Sequence, residues 1–261
     1  FCYAEFGQYF REIPYLKQDI PNIEVKLLTK DGSFSSSYLY DINFLSTVKN
    51  ALTEGPGFVI LPGILTDLAE RLLPSLDAGQ LQKLGRWDGF GPHAKDSIFN
   101  SAPEIAELVD LPIVSLIVQS LLGWDCKIDN LASSTSRIAP NNHALGPHQD
   151  SPFEQNPGCP LPPAEYPLVI QTIIAFDAFT ENKGPLYVVP DSHKKRLRVN
   201  LPWAGNTPKG PIPQDAIKVT VPKGSVILAI GHIWHGAASN TTDRPRRGFL
   251  VEYVSSVCEP R

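Results

Sequence analysis

The sequence predicts a mainly β protein with flanking helices, its strands folded into a sandwich or barrel of two sheets. Three observations carry this. Short apolar β-type runs recur at 128–138, 168–176, 186–189, 217–221, 225–230 and 248–254, and several short strands joined by long connections read as packed sheets. Proline is abundant, 25 of 261 residues, nearly double the usual ~5%, which implies rigid loops. Helical periodicity is confined to the first half, so helices should back one sheet.

Taken in order, residues 1–40 are irregular, with a turn at Lys30-Asp31-Gly32 and a serine run at 35–37. They read as an extension wrapped over a core. Asp41 resembles an N-cap, after which Phe44, Leu45, Val48 and Leu52 share a helical face. Gly57-Phe58-Val59-Ile60-Leu61 is a short strand closed by Pro62-Gly63. Thr66 caps a second helix through about Leu76. Residues 102–122 carry Ile105, Leu108, Ile113, Leu116, Ile117 and Leu121 at helical spacing, and Pro112 should kink or divide that segment. No internal repeat or low-complexity linker interrupts the chain. A single domain over 1–261 is expected, with its core over about 55–255.

Composition narrows the function classes. A net charge of −4 offers no basic field for a nucleic-acid backbone. The run His193-Lys194-Lys195-Arg196-Leu197-Arg198 is the one basic cluster and reads as a solvated loop. Cys2, Cys126, Cys159 and Cys258 are too scattered for a zinc knuckle or a disulfide scaffold. No apolar stretch approaches the roughly 18 residues that span a bilayer, and the start has no signal-peptide pattern. A cytoplasmic protein without membrane contact, monomeric or homodimeric, is the expectation.

The chemistry-bearing residues come in two halves. His148-Gln149-Asp150 places two ligating side chains on one face, because alternate strand residues point the same way. By itself His-x-Asp is close to what chance gives. The second half is Gly224 to Gly236, a buried strand from which His232 and His235 both emerge. Two histidines and one carboxylate can hold one face of an iron ion and leave the other open, the signature of non-heme Fe(II) oxygenases. Beyond them, Arg246 or Arg247 could hold the carboxylate of a dicarboxylic co-substrate, since a guanidinium fork matches a carboxylate bidentately. Adjacent strand positions face opposite ways, so only one of the two arginines can point inward.

Four ordered blocks resemble a known family. They are Gly57-Phe58-Val59-Ile60, Pro147-His148-Gln149-Asp150, Asn182-Lys183-Gly184-Pro185-Leu186-Tyr187-Val188-Val189-Pro190-Asp191-Ser192-His193, and Trp234-His235-Gly236 with Asn240 and Arg246. Together they are similar to the phytanoyl-CoA dioxygenase-like (PhyH) Fe(II)/2-oxoglutarate oxygenases. Lys183 and Asp191 depart from the family pattern but are not ligands. The resemblance implies a double-stranded β-helix, or jelly-roll, core of cupin type. It implies His148, Asp150 and His235 as metal ligands, with His232 and His193 outside the set. It favours Arg246 as the 2-oxoglutarate clamp, with Fe(II), 2-oxoglutarate and O2 as cofactors and succinate and CO2 as by-products.

Polar help for the clamp is expected from the strand before the His-x-Asp turn, where Ser133, Thr135 and Arg137 share a face; Thr135 is the choice. The retained carboxylate of Asp150 argues against halogenation, for which relatives leave that position vacant, and leaves hydroxylation, desaturation, cyclisation or epoxidation. The loop 151–167 should wall the substrate pocket, with Phe153 the expected substrate contact, and the stretch Trp87 to His93 is a second wall. The substrate should be a small metabolite or natural-product intermediate. Two other readings stand beside this one. They are a cupin-type metal enzyme that uses no 2-oxoglutarate and a non-catalytic jelly-roll binding protein.

Overall fold

The computed structural model describes residues 23–39, 41–84, 103–109, 111–136, 145–150, 161–199, 203–204, 207–208 and 210–258. The chain opens with β1 (Glu24–Leu28), β2 (Phe34–Tyr38), α1 (Phe44–Thr53), β3 (Phe58–Leu61) and α2 (Thr66–Leu84). A 3-10 segment over Pro103–Leu108 precedes α3 (Pro112–Leu122). The rest is β. It comprises β4 (Lys127–Ser136), β5 (Leu145–His148), β6 (Val169–Ala175), β7 (Leu186–Val188), β8 (Trp203–Ala204) and β9 (Thr207–Pro208). It ends with β10 (Ile217–Val219), β11 (Val226–Ile230), β12 (His235–Ala237) and β13 (Arg246–Val254).

Seven strands form one antiparallel sheet in the order β2-β1-β3-β11-β6-β13-β4, and four form a second in the order β10-β7-β12-β5. Strand alternation divides the large sheet's side chains between two cores. Ile174, Val226, Leu228, Ile230, Phe249 and Val251 face the helices, meeting Phe44, Val48 and Leu52 of α1 and Ile113, Ile117 and Val118 of α3. Their alternates Ile173, Ala175, Ile227, Ala229 and Leu250 face Leu186, Val188 and Val219 of the small sheet. Two sheets closed over this inner core make the jelly roll expected from the sequence.

The helices follow the sequence with adjustments. Pro112 does divide the third segment, sitting at the first turn of α3, where its missing N–H costs nothing. The cap of α1 is Asn43 rather than Asp41; Asp41 instead accepts the Asn43 N–H at 2.8 Å, forming a turn just ahead of the helix. α2 runs past Leu76 to Leu84 with Pro74 inside it. Thr66 donates its hydroxyl to Gly63 O at 2.8 Å and Lys223 O at 3.1 Å, tying the helix start to the turn before β11.

Residues 24–38, read from sequence as irregular, are a β-hairpin. β1 pairs β2 over five positions and joins the sheet edge through Lys26 opposite Ile60. The turn at Lys30-Asp31-Gly32 connects the two, with Asp31 accepting from Thr29, Ser33 N and Ser33 Oγ. Those bonds, led by the Thr29 hydroxyl, draw the exposed Asp31 carboxyl down to about 2. Among the described residues no helix is long and apolar enough to cross a membrane.

Candidate metal centre

The centre is assembled where the small sheet meets the end of β11. β12 lies between β7 and β5, and its first residue His235 sits directly opposite His148, the last of β5. Two residues on, the Asp150 N–H donates to Gly231 O at 2.7 Å, which holds the carboxylate beside the turn leaving β11. One ligand atom each from His148, Asp150 and His235 lie within 4.8 Å of one another. The imidazole centroids are 4.3 Å apart, and His235 Nε2 is 3.6 Å from Asp150 Oδ1.

The donor chemistry suits a cation. Each histidine Nδ1 meets a backbone carbonyl two residues back, His148 on Gly146 O and His235 on Ile233 O, both at 3.0 Å. A carbonyl only accepts, so Nδ1 carries the proton and Nε2 keeps its lone pair. Burial pushes the His148 imidazole down to about 3, helped by the neighbouring His235, and pushes His235 down to about 4. Both rings are therefore neutral near pH 7, as ligation requires. Two neutral imidazoles and one carboxylate are the donor types that a facial non-heme iron site uses.

Arg246 lines the same cavity as His148 and His235, along with Gln171, Ile173, Phe179, Leu186 and Leu250. It is 4% exposed. Its Nε donates to Gly184 O at 2.9 Å, and its guanidinium lies 4.4 Å from the centre of the Phe179 ring. Burial draws its pKa down to about 10, opposed by Asp177, so it remains a cation. Arg247 is spent elsewhere, with Nε and Nη2 donating to the Asp177 carboxylate at 2.8 and 3.1 Å. Asn240 shapes the approach, donating to Arg244 O and accepting from Thr242, so that the chain turns into β13 with Arg246 facing inward.

Two further residues were expected at the site, Thr135 and Phe153. Register sets Thr135 opposite Arg247, whereas Ser136 and Ser134 lie opposite Arg246 and Gly248. Phe153, most of the loop 151–167 and the stretch Trp87 to His93 lie outside the described residues. His193 and His232 stay out of the ligand group, as the resemblance implied. They pack against each other with centroids 6.0 Å apart, and the His193 ring bonds Thr53 O at 3.0 Å through Nε2. Gly57, at φ +93°, lies so close that a Cβ there would sit 2.6 Å from His193 Nδ1.

Sequence reasoning missed Gln171 and Phe179 in the cavity wall. A signal existed for Gln171, a polar residue in the otherwise apolar alternation of β6.

A model of the phytanoyl-CoA dioxygenase (PhyH) family matches residues 65–248, a span that holds all three candidate ligands and Arg246. The chain belongs to the PhyH family. It is 26% identical to dioxygenase trt7 of Aspergillus terreus over 62% of this chain and 54% of that protein. It is 33% identical to dioxygenase cdmA of Talaromyces verruculosus over 34% of this chain and 27% of that protein. The matches thus span about half or less of these relatives. Among solved structures, the epimerase SnoN in complex with Fe3+, alpha ketoglutarate and nogalamycin RO is similar at TM-score 0.59 and 19% identity, covering 81% of this chain and 84% of that one. The alpha ketoglutarate dependent carbocyclase SnoK is similar at TM-score 0.58 and 19% identity, covering 80% and 83%. At such identities the likeness is one of fold, and it agrees with the jelly roll.

Proposed function

We propose that this PhyH-family chain is an Fe(II)- and 2-oxoglutarate-dependent oxygenase that oxidises a small metabolite or natural-product intermediate, releasing succinate and CO2. The observation that carries it is the grouping of His148, Asp150 and His235 within 4.8 Å of one another, with both histidines lining a cavity that also holds the buried, charged Arg246. His148, Asp150 and His235 would hold the iron, and Arg246 would pair with the distal carboxylate of 2-oxoglutarate. When bound, the iron, 2-oxoglutarate and O2 supply oxidation of a C–H bond coupled to decarboxylation of the co-substrate. The chain's own contribution is orientation and exclusion of water. The carbonyls of Gly146 and Ile233 fix the two imidazoles in the ligating tautomer. Phe179 and Gly184 hold the guanidinium fork in place, while Ile173, Leu186 and Leu250 keep the cavity apolar around it.

Hydroxylation, desaturation and cyclisation all suit this arrangement, and the carboxylate of Asp150 disfavours halide incorporation. A small-molecule substrate is supported by the dioxygenase relatives and by fold neighbours that bind nogalamycin RO or act in nogalamycin biosynthesis. The test is an anaerobic titration with Fe(II) and 2-oxoglutarate, read by the metal-to-ligand charge-transfer band. The band should form with the unaltered protein, vanish in Asp150→Ala and need at least about tenfold more 2-oxoglutarate in Arg246→Ala, since a charge-assisted bond contributes about 1.5–3 kcal/mol. No band with the unaltered protein sinks the proposal. A band weakened by Arg247→Ala and not by Arg246→Ala reassigns the clamp.

A further inference from the structure

We propose that Gln149 is a positioning residue that fastens the two halves of the metal centre to each other; this rests on reading the residues around it as a metal site. Alternation turns residue 149 away from the face shared by 148 and 150, so it is no candidate ligand. It is nonetheless 3% exposed. Its Nε2 donates to His232 O at 2.8 Å, and its Oε1 accepts the Val199 N–H at 3.1 Å. One end of the amide therefore grips the turn that carries His235, three residues on. The other grips the end of the segment 192–199.

That segment is itself tied to the His235 turn. Ser192 Oγ accepts the Trp234 N–H at 2.8 Å, Trp234 Nε1 donates to Leu197 O at 3.0 Å, and the Lys195 ammonium lies 5.6 Å from the Trp234 ring centre. Arg196 donates through Nε and Nη2 to Leu161 O at 3.3 and 3.1 Å, reaching the chain that returns from the ligand turn. The basic run of the sequence thus acts as a brace, with Gln149 its link to the ligands.

The sheet ladder alone does not supply this link. β12 has three residues, and its pairing with β5 has two register partners with an irregularity between them. A short, irregular ladder leaves the distance and tilt between His148 and His235 weakly fixed, whereas ligand sites need sub-ångström placement. An amide suits the task because it donates and accepts from one planar group.

Gln149→Met keeps the length and removes both bonds. In anaerobic Fe(II) titrations it should weaken metal affinity about 10- to 100-fold, the usual effect of losing a residue that orients ligands, and alter the charge-transfer band formed with 2-oxoglutarate. Ser225→Ala is the control for a general loss of stability. Ser225 makes a like pair of bonds, to Pro222 O at 2.7 Å and from Gly63 N at 3.0 Å, at the opposite end of β11. It should lower the thermal midpoint and leave Fe(II) affinity unchanged. The inference is overturned by Gln149→Met binding Fe(II) within twofold of the unaltered protein with the same band, or by Ser225→Ala weakening Fe(II) as much. If Gln149→Met does not fold, Gln149→Glu, which keeps acceptance from Val199 and loses donation to His232, is judged by the same criteria. An unaltered protein that fails to bind Fe(II) sinks the metal-centre reading instead, which separates the two failures.

Discussion

The large sheet has two faces made from the same strands, and they obey different rules. Toward the helices, β6, β11 and β13 present Ile174, Leu228, Phe249 and Val251, which pack in an aliphatic and aromatic cluster with the buried hydroxyl of Thr172 bonded to Val251 O. Toward the small sheet, the alternate residues include Gln171, Arg246 and Glu252, each at most 4% exposed, set among Ile173, Ala229 and Leu250. Burying charge and amide groups costs free energy that burying leucine returns. The comparison shows how one strand sequence separates stability from chemistry by parity alone.

Changes on each face should then separate as well. The largest effect is expected from Leu228→Ala on the helix-facing side. Loss of a fully buried leucine should destabilise the fold by about 2–5 kcal/mol in urea unfolding and leave the Fe(II) affinity of the folded protein intact. A parallel loss of metal affinity would break the comparison.

Acid should act through the histidine end, where burial opposes protonation of His232 and His193. Burial holds the His232 imidazole down to about 3, against 6.5 in the unfolded chain, and lowers His193 as well. Between those limits the unfolded chain takes up a proton that the folded one refuses. Stability is thus unaffected above about pH 6.5 and falls as pH drops, by roughly 1.4 kcal/mol per pH unit for His232, with His193 acting in the same direction. His232→Phe should flatten the pH dependence of the urea midpoint by about one histidine's share; an unchanged slope would mean that its burial does not control its proton.

The smallest change in stability is expected on the inner face. Arg246→Met replaces a buried cation by an apolar chain of similar length and should shift stability by no more than about 1 kcal/mol in either direction, while 2-oxoglutarate binding falls. A large loss of stability would make Arg246 chiefly a structural residue.

What could be read from sequence divides along similar lines. Strands buried on both faces, such as VIQTIIA and VILAI, announce themselves by mostly apolar, β-branched character, and their ends came within a residue or two. The hairpin 24–38 did not, since β2, Phe-Ser-Ser-Ser-Tyr, is almost entirely exposed and carries no buried period. His148-x-Asp150 was weak as a tripeptide and became specific only with the ordered blocks around it. Arg246 over Arg247 followed from alternation within one strand and the family's spacing. The pairing of Thr135 with Arg247 is a relation of register between two strands, which spacing within one strand does not show. The bonds of Gln149 join segments 83 and 50 residues away, contacts for which local pattern leaves no trace.

The carbonyls of Gly146 and Ile233, each bonded to the imidazole two residues ahead, have a kinetic consequence. Both rings are already turned, with the proton held on Nδ1, before any ion arrives. Metal capture then needs little search through side-chain torsions, and its entropy is dominated by water released from the ion. Loading and exchange of the metal should leave the surrounding strands at rest.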